Sequence, residues 1–215
     1  MSRRPLVAVV DHGAGNMVSI HQALTTVGAV VRIADEPGAL EDVDAVVVPG
    51  VGAAAPAMVR LERQGLIDPL QDWLAADRPF LGICLGLQLL FEGSDEDDAL
   101  TFGTLPGRTV RLADAPTLPH IGWNQVERTR DHPIFDGIDD DADFYFVHSY
   151  AGAPPRKESA DPADDALVLA RTTHGQPFVS AVARGSMVGV QFHPERSGPD
   201  GLRLVANFVG LVRAA

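Results

Sequence analysis

The chain has 215 residues, of which 46% are apolar and 21% charged; these proportions are typical of a globular domain and exclude an intrinsically disordered chain. Its formal net charge of −12 argues against a nucleic-acid partner, because the phosphates would be repelled. No apolar run is long enough to span a membrane, and the single cysteine cannot form an internal disulfide, so we expect a cytoplasmic protein.

In the first half of the chain, short apolar strands alternate with segments of helical spacing. The predicted strands are 6–10, 30–33, 44–48 and 80–83, and the predicted helices are 16–27, 53–63, 66–76 and 85–91. This alternation is typical of an α/β fold with a mostly parallel central sheet flanked by helices. Its active site is expected at the carboxyl ends of the strands.

The second half changes character and predicts an antiparallel extension that returns to the central sheet. Strand-like segments are separated by glycines and polar turns, at 109–112, 144–147, 167–171, 178–183 and 188–192. A closing helix is predicted over 201–212, and a Pro- and Asp-rich exposed loop over 153–165. Without internal repeats or linkers, residues 1–215 are expected to form one domain.

Cys84 is the candidate nucleophile. It ends an apolar run, and Gly86 follows two residues later, a pattern that predicts a sharp turn from a buried strand into a helix. The start of a helix favours the thiolate, and the backbone amide of Leu85 would be available to an oxyanion. A buried structural cysteine is the alternative explanation of this residue alone.

His193 and Glu195 are the candidate base and the carboxylate that orients it. If the segment is extended, both side chains project from one face, and Pro194 stiffens the link between them. The imidazole would then reach the thiol while the carboxylate fixes its tautomer. Without Cys84, a structural histidine beside a glutamate is the simpler explanation.

Two glycine-rich turns follow predicted strands. The turn 49–52 contains Gly50 and Gly52, and glycine allows an inward-facing amide, so Val51 or Gly52 is expected to supply a second oxyanion donor. A plain strand-to-helix turn explains this segment equally well. The other turn, 12–16, lacks the third glycine of a dinucleotide site. With no Walker-type loop and no cluster of metal-ligand spacing, we expect neither a cofactor nor a metal.

These motifs resemble the class I (triad type) glutamine amidotransferases, in the nucleophile segment 82–88 and the base segment 193–195. The resemblance narrows to the glutaminase subunits of imidazole glycerol phosphate synthase. Five segments carry this narrower resemblance; they occur in the same order as in that family and cover nearly the whole chain: 13–16, 49–52, 119–124, 146–150 and 189–195.

The resemblance implies a reaction and roles for residues. Cys84 attacks the side-chain amide of L-glutamine, His193 protonates the departing ammonia and later activates water, and Glu195 holds the imidazole. The oxyanion is bound by the amides of Val51 or Gly52 and of Leu85. The residues implied for the substrate's amino-acid end and its pocket are Gln88, Ser149 and Tyr150.

The resemblance also implies a partner, a (β/α)₈-barrel cyclase subunit that receives the ammonia. The residues that fall where contacts with it are expected are Asn16, Trp123, Tyr145 and Arg196. Four features depart from the family pattern: His12 stands in place of tyrosine, 53–56 lacks a phenylalanine and a glycine, Arg196 replaces lysine, and the loop 153–165 is long.

Three other functions remain open at this point. One is a sister amidotransferase that serves another synthase, although the Trp123 and His148 motifs argue against it. Another is a cysteine peptidase on a similar scaffold, which would not use free glutamine. The third is a silent binding subunit, which would not need to retain Cys84, His193 and Glu195 together.

Overall fold

The computed structural model describes residues 3–153 and 167–214. The predicted loop 153–165 therefore lies almost entirely outside the described residues. The helices are α1 (Met17–Thr26), α2 (Ala54–Arg63), α3 (Ile67–Ala75), α4 (Leu85–Gln88) and α5 (Gly198–Ala214), and short 3₁₀ turns occur at Pro37–Leu40, Pro133–Phe135 and Pro194–Arg196.

Fourteen strands are present in the described ranges. In chain order they are β1 (Leu6–Val10), β2 (Val30–Ala34), β3 (Ala45–Gly50), β4 (Phe80–Cys84), β5 (Gly93–Ser94), β6 (Ala99–Leu100), β7 (Arg108–Arg111), β8 (His120–Gln125), β9 (Glu127–Arg128), β10 (Asp143–His148), β11 (Tyr150–Gly152), β12 (Val168–His174), β13 (Gln176–Arg184) and β14 (Met187–Val190).

Within the described residues, twelve strands form one sheet, in the order β2-β1-β3-β4-β14-β13-β11-β7-β5-β6, with β12 beside β13 and β9 beside β12. The five strands from β2 to β14 pair in parallel, and β13 continues the sheet antiparallel. The predicted fold class is therefore confirmed, with a mostly parallel centre and an antiparallel extension.

The central strands are buried on both faces, because alternate residues of each strand serve two separate cores. In β1, Val7 and Val9 belong to one apolar cluster, whereas Ala8 and Val10 belong to the other. This burial explains why the central strands are near-continuous apolar runs in the sequence.

Local signals fix the ends of α1. The Asn16 side chain accepts the backbone N–H of Ser19 at 3.1 Å and caps the first turn. At the other end Gly28 has φ +91°, and its N–H and that of Ala29 bond back to the carbonyls of Thr25 and Leu24. This is a Schellman ending, which glycine favours.

Two expectations, one in each half of the chain, were wrong. Segment 144–147 does not join the central sheet, since β10 pairs with β8 in a separate antiparallel ribbon. The predicted helix 85–91 is regular only as far as Gln88. Beyond Gln88 the pattern of hydrogen bonds changes, because the N–H groups of Leu90 and Phe91 bond to the carbonyls three residues earlier, those of Leu87 and Gln88, and not four residues earlier.

Candidate active site

Cys84 lies at the carboxyl end of β4, directly before α4, as predicted. Its backbone has φ +53° and ψ −103°, a conformation that costs energy for any residue other than glycine. The side chain is buried, with 3% exposure. This strained bend lies at the edge of the sheet where the neighbouring parallel strands β3 and β14 also end.

The bend depends on its two glycines because the chain passes very close to itself. A Cβ on Gly86 would overlap the carbonyl oxygen of Val48 on β3, and a Cβ on Gly82 would lie 2.6 Å from the carbonyl oxygen of Gly86. The sequence signal of glycine around Cys84 therefore has a steric cause.

His193 and Glu195 meet, but the segment is not extended as expected. Only His193 has extended backbone angles, and Pro194–Arg196 forms a 3₁₀ turn closed by the N–H of Ser197 on the Pro194 carbonyl at 3.1 Å. The turn brings the Glu195 carboxylate back to the imidazole, and Glu195 Oε1 lies 2.8 Å from His193 Nδ1.

The electrostatics of this pair favour an imidazolium. The two side chains are only 4% and 3% exposed. Burial by itself lowers the pKa of an imidazole, but the adjacent Cys84 and Glu195 outweigh it and raise the pKa of His193 from 6.5 to about 10. His193 Nε2 is buried with no hydrogen-bond partner of good geometry in the described residues, so it influences the sulfur through charge and proximity.

The backbone of His193 is fixed to strand β10. Its N–H donates to the Tyr145 carbonyl at 2.8 Å, and the Ser197 hydroxyl donates to the His193 carbonyl at 2.6 Å. The same hydroxyl accepts the Tyr145 N–H at 3.0 Å. The position of the imidazole is therefore coupled to the ribbon that carries Tyr145.

The predicted oxyanion turn begins beside Cys84, since Gly50 pairs with Cys84 in the register of β3 and β4. His12 Nε2 donates to the Pro49 carbonyl at 2.7 Å, and its ring occupies the space that a Cβ on Gly50 would need. Burial lowers the pKa of His12, in keeping with a neutral donor. Beyond this anchor, Val51 is 38% exposed and Gly52 has φ +96°.

Directly after Cys84, Leu85 is buried, and its N–H opens the first turn of α4. Gln88, one turn further, donates from Nε2 to the Tyr150 carbonyl at 2.7 Å. Ser149 and Tyr150 are half-buried and follow β10 directly. The structure therefore brings the predicted substrate residues Gln88 and Tyr150 together close to Cys84.

A buried histidine network, which the sequence analysis did not identify as part of the site, supports the Tyr150 carbonyl. His148 Nδ1 donates to that carbonyl at 3.0 Å, so its Nε2 must accept, and it does so from His120 Nδ1 at 3.2 Å. His120 Nε2 in turn lies 3.3 Å from the amide nitrogen of Asn124. Every donor in this chain is matched by an acceptor when both histidines are neutral.

Burial keeps these histidines neutral. It lowers the pKa of His148 to about 3, with the neighbouring His120 adding to the effect, and it lowers the pKa of His120 to about 4, with a contribution from His174. The alternation of buried and exposed residues in β8 and β10 could have revealed the network, but two inward-facing histidines in strands are not a recognised motif. No group of three or more His, Cys, Asp or Glu in the described ranges is arranged to hold a metal ion.

The residues predicted to contact a partner fall on one side of the site. The Trp123 and Tyr145 rings meet edge to face at 5.9 Å between centroids, and the Arg196 guanidinium lies 4.2 Å above the Tyr145 ring. Trp123 is 56% exposed and its neighbour Ile121 60%. Asn16 is exposed after the end of β1, at the same carboxyl edge of the sheet.

Comparison with known proteins agrees with the fold described above. The sequence profile of the family described as "Glutamine amidotransferase class-I" matches residues 8–211. In fold, the chain is similar to PurLQS from Thermotoga maritima, with a TM-score of 0.73 and 17% identity over 97% of this chain and 99% of that one. A glutamine amidotransferase from Thermotoga maritima gives a TM-score of 0.60 and 21% identity, covering 90% of this chain and 77% of that one.

Relatives of known name show which group of class I glutamine amidotransferases the chain belongs to. The "Imidazole glycerol phosphate synthase subunit HisH" of Microcystis aeruginosa is 44% identical over 212 residues, covering 97% of this chain and 96% of that protein. The protein of the same name from Chloroflexus aurantiacus is 44% identical over 209 residues, covering 95% of each. The chain therefore belongs to the class I glutamine amidotransferases and, within them, to the HisH subunits of imidazole glycerol phosphate synthase.

Among the described residues no helix combines the length and the apolarity that crossing a membrane requires.

Proposed function

We propose that this chain hydrolyses L-glutamine to L-glutamate and ammonia through a thioester on Cys84. The ammonia passes to a (β/α)₈-barrel cyclase subunit, which makes imidazole glycerol phosphate and aminoimidazole carboxamide ribotide in histidine biosynthesis. Residues 1–215 act as one amidotransferase domain in the cytoplasm, and the reaction needs neither a cofactor nor a metal.

One observation carries the proposal: the only cysteine of the chain sits in a strained elbow beside a buried His193–Glu195 pair. A buried imidazole without these neighbours would have a lowered pKa, whereas the pKa of His193 is raised to about 10. An imidazolium next to a sulfur is the electrostatic arrangement that favours a thiolate nucleophile at neutral pH.

In the first half-reaction the Cys84 sulfur attacks the side-chain amide carbon, and the carbonyl oxygen becomes an oxyanion. When this intermediate collapses, the C–N bond breaks, and His193 gives its Nε2 proton to the departing nitrogen, which leaves as ammonia. In the second half-reaction the now neutral imidazole takes a proton from water. The hydroxide attacks the thioester, and the sulfur leaves as thiolate.

The oxyanion is stabilised by the Leu85 amide and by an amide of the Val51–Gly52 turn. Leu85 N–H begins α4 beside the sulfur, and the turn starts at Gly50, which is in register with Cys84. Removing one donor of this kind typically costs about 3 kcal/mol of transition-state stabilisation. The conformation of the turn is therefore a means of controlling activity.

Gln88, Ser149 and Tyr150 bind the amino-acid end of glutamine. The Gln88 amide nitrogen is engaged by the Tyr150 carbonyl and by Gln191, which leaves its oxygen to accept from the substrate's ammonium group. The half-buried Ser149 and Tyr150 flank this position on the chain segment that leaves β10.

The exposed aromatic cluster of Trp123, Tyr145 and Arg196 contacts the cyclase, with Asn16 at its margin. A tryptophan that is 56% exposed and supported by a second ring and a guanidinium is typical of a protein–protein contact. Arg196 directly follows Glu195, and Tyr145 bonds to the His193 backbone, so a partner bound here acts within one residue of the catalytic pair.

The test combines the purified chain with the cyclase of imidazole glycerol phosphate synthase and the nucleotide ligand of that cyclase. We expect glutamine-dependent release of glutamate, abolished in Cys84→Ala. The Cys84→Ala complex should still form the cyclised product when ammonium salts replace glutamine, which shows that the variant folds and assembles. Glutamate release that is unchanged in Cys84→Ala contradicts the mechanism.

The same experiment separates the alternatives. A silent binding subunit would support the ammonium-dependent reaction but would release no glutamate from glutamine in the wild type. A cysteine peptidase would cleave peptides without a response to the cyclase. A sister amidotransferase would release glutamate without coupling to this cyclase.

A further inference from the structure

Gln191 lies beside the sulfur of Cys84 for a topological reason. Strand β14 pairs in parallel with β4, and Val190 is in register with Ile83. The residues that follow this pair, Gln191 after Val190 and Cys84 after Ile83, therefore lie side by side where the two strands end. Gln191 is fully buried, its backbone N–H bonds to the Ser180 carbonyl at 2.9 Å, and its Nε2 lies 3.5 Å from Cys84 Sγ.

The orientation of the Gln191 amide follows from the hydrogen bonds around it. Gln88 Nε2 donates to the Tyr150 carbonyl at 2.7 Å, and a carbonyl can only accept, so the Gln88 NH₂ group must point toward Tyr150 and Gln191. The same nitrogen lies 3.2 Å from Gln191 Oε1. The Gln191 oxygen is thus occupied, and its NH₂ group is the part that faces the sulfur.

The histidine network strengthens this assignment. His148 Nδ1 donates to the same Tyr150 carbonyl, which fixes the position of the acceptor that orients Gln88. The donor and the acceptor of each hydrogen bond are therefore defined along a series that runs from strands β8 and β10 through Tyr150 and Gln88 to Gln191. A flipped Gln191 amide would set two NH₂ groups against each other in a dry interior, at the cost of a buried unsatisfied donor.

We propose that Gln191 is a further catalytic residue, whose side-chain N–H donates to the Cys84 thiolate. The inference rests on the proposed function, because it assigns a role toward the same nucleophile. A thiolate accepts a hydrogen bond far better than a thiol or a thioester sulfur, so the amide stabilises the charged form selectively. It raises the fraction of nucleophile that is ready and makes the sulfur a better leaving group when water attacks the thioester.

Thiol alkylation tests the proposal without glutamine or partner, because the chain has one cysteine. The rate with iodoacetamide is measured as a function of pH for the wild type, Gln191→Met and Gln191→Glu. Gln71→Met is the matched control. It makes the same substitution on α3, away from the site, where the Gln71 amide donates to the Phe102 carbonyl at 3.2 Å.

We expect Gln191→Met to react about tenfold more slowly below neutral pH, with its profile displaced by about one pH unit to higher pH, the size expected for a hydrogen bond to a charged group. Gln191→Glu should be displaced further, because a carboxylate repels the thiolate. Gln71→Met should match the wild type. A Gln191→Met profile that coincides with the wild type in a folded protein overturns the proposal.

If circular dichroism shows that the Gln191 variants do not fold, the wild type provides the test. The side-chain N–H resonances of Gln191 should move as the Cys84 thiol titrates, and this movement should be absent in Cys84→Ala. Resonances that are insensitive to pH in the wild type overturn the proposal. If the alkylation profiles are displaced as expected but the wild-type complex releases no glutamate from glutamine, the proposed function is contradicted and the role of Gln191 is not. The two failures are therefore distinguishable.

Discussion

The buried histidine pair makes a quantitative prediction about stability and pH. Burial lowers the pKa of His148 to about 3 and that of His120 to about 4, against 6.5 for a solvent-exposed histidine. In the unfolded chain both residues take up a proton as the pH falls below 6.5, whereas in the folded chain they do not. Their contribution to stability is therefore present above pH 6.5 and is lost as the pH falls toward 4.

The magnitude follows from linkage. Between about pH 7.5 and about pH 5.5, a histidine that binds a proton only when unfolded lowers the free energy of unfolding by about 1.4 kcal/mol. The two histidines together account for about 3 kcal/mol, a large fraction of the stability of an ordinary domain. The raised pKa of His193 has the opposite effect, because its contribution to stability is complete below pH 6.5 and is lost as the pH rises, but it contributes equally to proteins that differ only in the network.

The assay is denaturant unfolding of the wild type and of His148→Gln at both pH values. The variant should be less stable at either pH, but it should lose about 1.4 kcal/mol less than the wild type on acidification. His21→Gln, on the exposed side of α1, removes a histidine outside the network and should lose as much as the wild type. Equal losses in the wild type and His148→Gln would refute the assignment of a neutral, buried His148.

Three further predictions concern the site itself. Gly86→Ala should lower the free energy of unfolding by about 3 kcal/mol or more and abolish glutaminase activity, because its Cβ would overlap the Val48 carbonyl. The control is Gly210→Ala in α5, where a Cβ meets nothing within 4 Å, and it should stabilise the chain in the same thermal melt. His12→Phe removes the donor to the Pro49 carbonyl and should lower kcat more than it raises KM, since the anchor holds the oxyanion turn and not the substrate; a change in KM alone would contradict this. Glu195→Gln should reduce kcat/KM about tenfold to a hundredfold and lower the pKa of His193, since a hydrogen bond to a charged group contributes about 1.5–3 kcal/mol; an unchanged imidazole titration by NMR would show that Glu195 does not hold it.

The parts of the fold that the sequence predicts are those where burial and periodicity coincide. Strands β3 and β4 are buried along their whole length and β1 from its second residue onward, and all three appear as apolar runs in the sequence. Strand β8 was missed because its alternation is inverted: His120 points inward, while Ile121 and Trp123 point outward and are exposed. Apolar residues that are reserved for a surface cannot be distinguished by pattern from those that fill a core.

In the site, local signals and the family resemblance predicted that Cys84 would meet His193 and Glu195, whereas the side-chain contacts around them were not predicted. Glycines beside Cys84 and the short spacing of His193 and Glu195 are local signals, although the 3₁₀ turn at Pro194–Arg196 replaced the extended segment. The contact of Gln191 with Cys84 depends on β14 pairing next to β4, which no spacing in the sequence encodes. The same holds for the link from His148 to Gln88 through the Tyr150 carbonyl.

The central claim is that the Cys84 sulfur, activated by His193 and Glu195, attacks the side-chain carbonyl of glutamine. Its most direct test is treatment of the chain with a diazoketone analogue of glutamine, followed by mass spectrometry of the digested protein. A single adduct on the Cys84 peptide is predicted, slowed by excess glutamine and absent from Cys84→Ala. Labelling that persists in Cys84→Ala, or that glutamine does not slow, would contradict the claim.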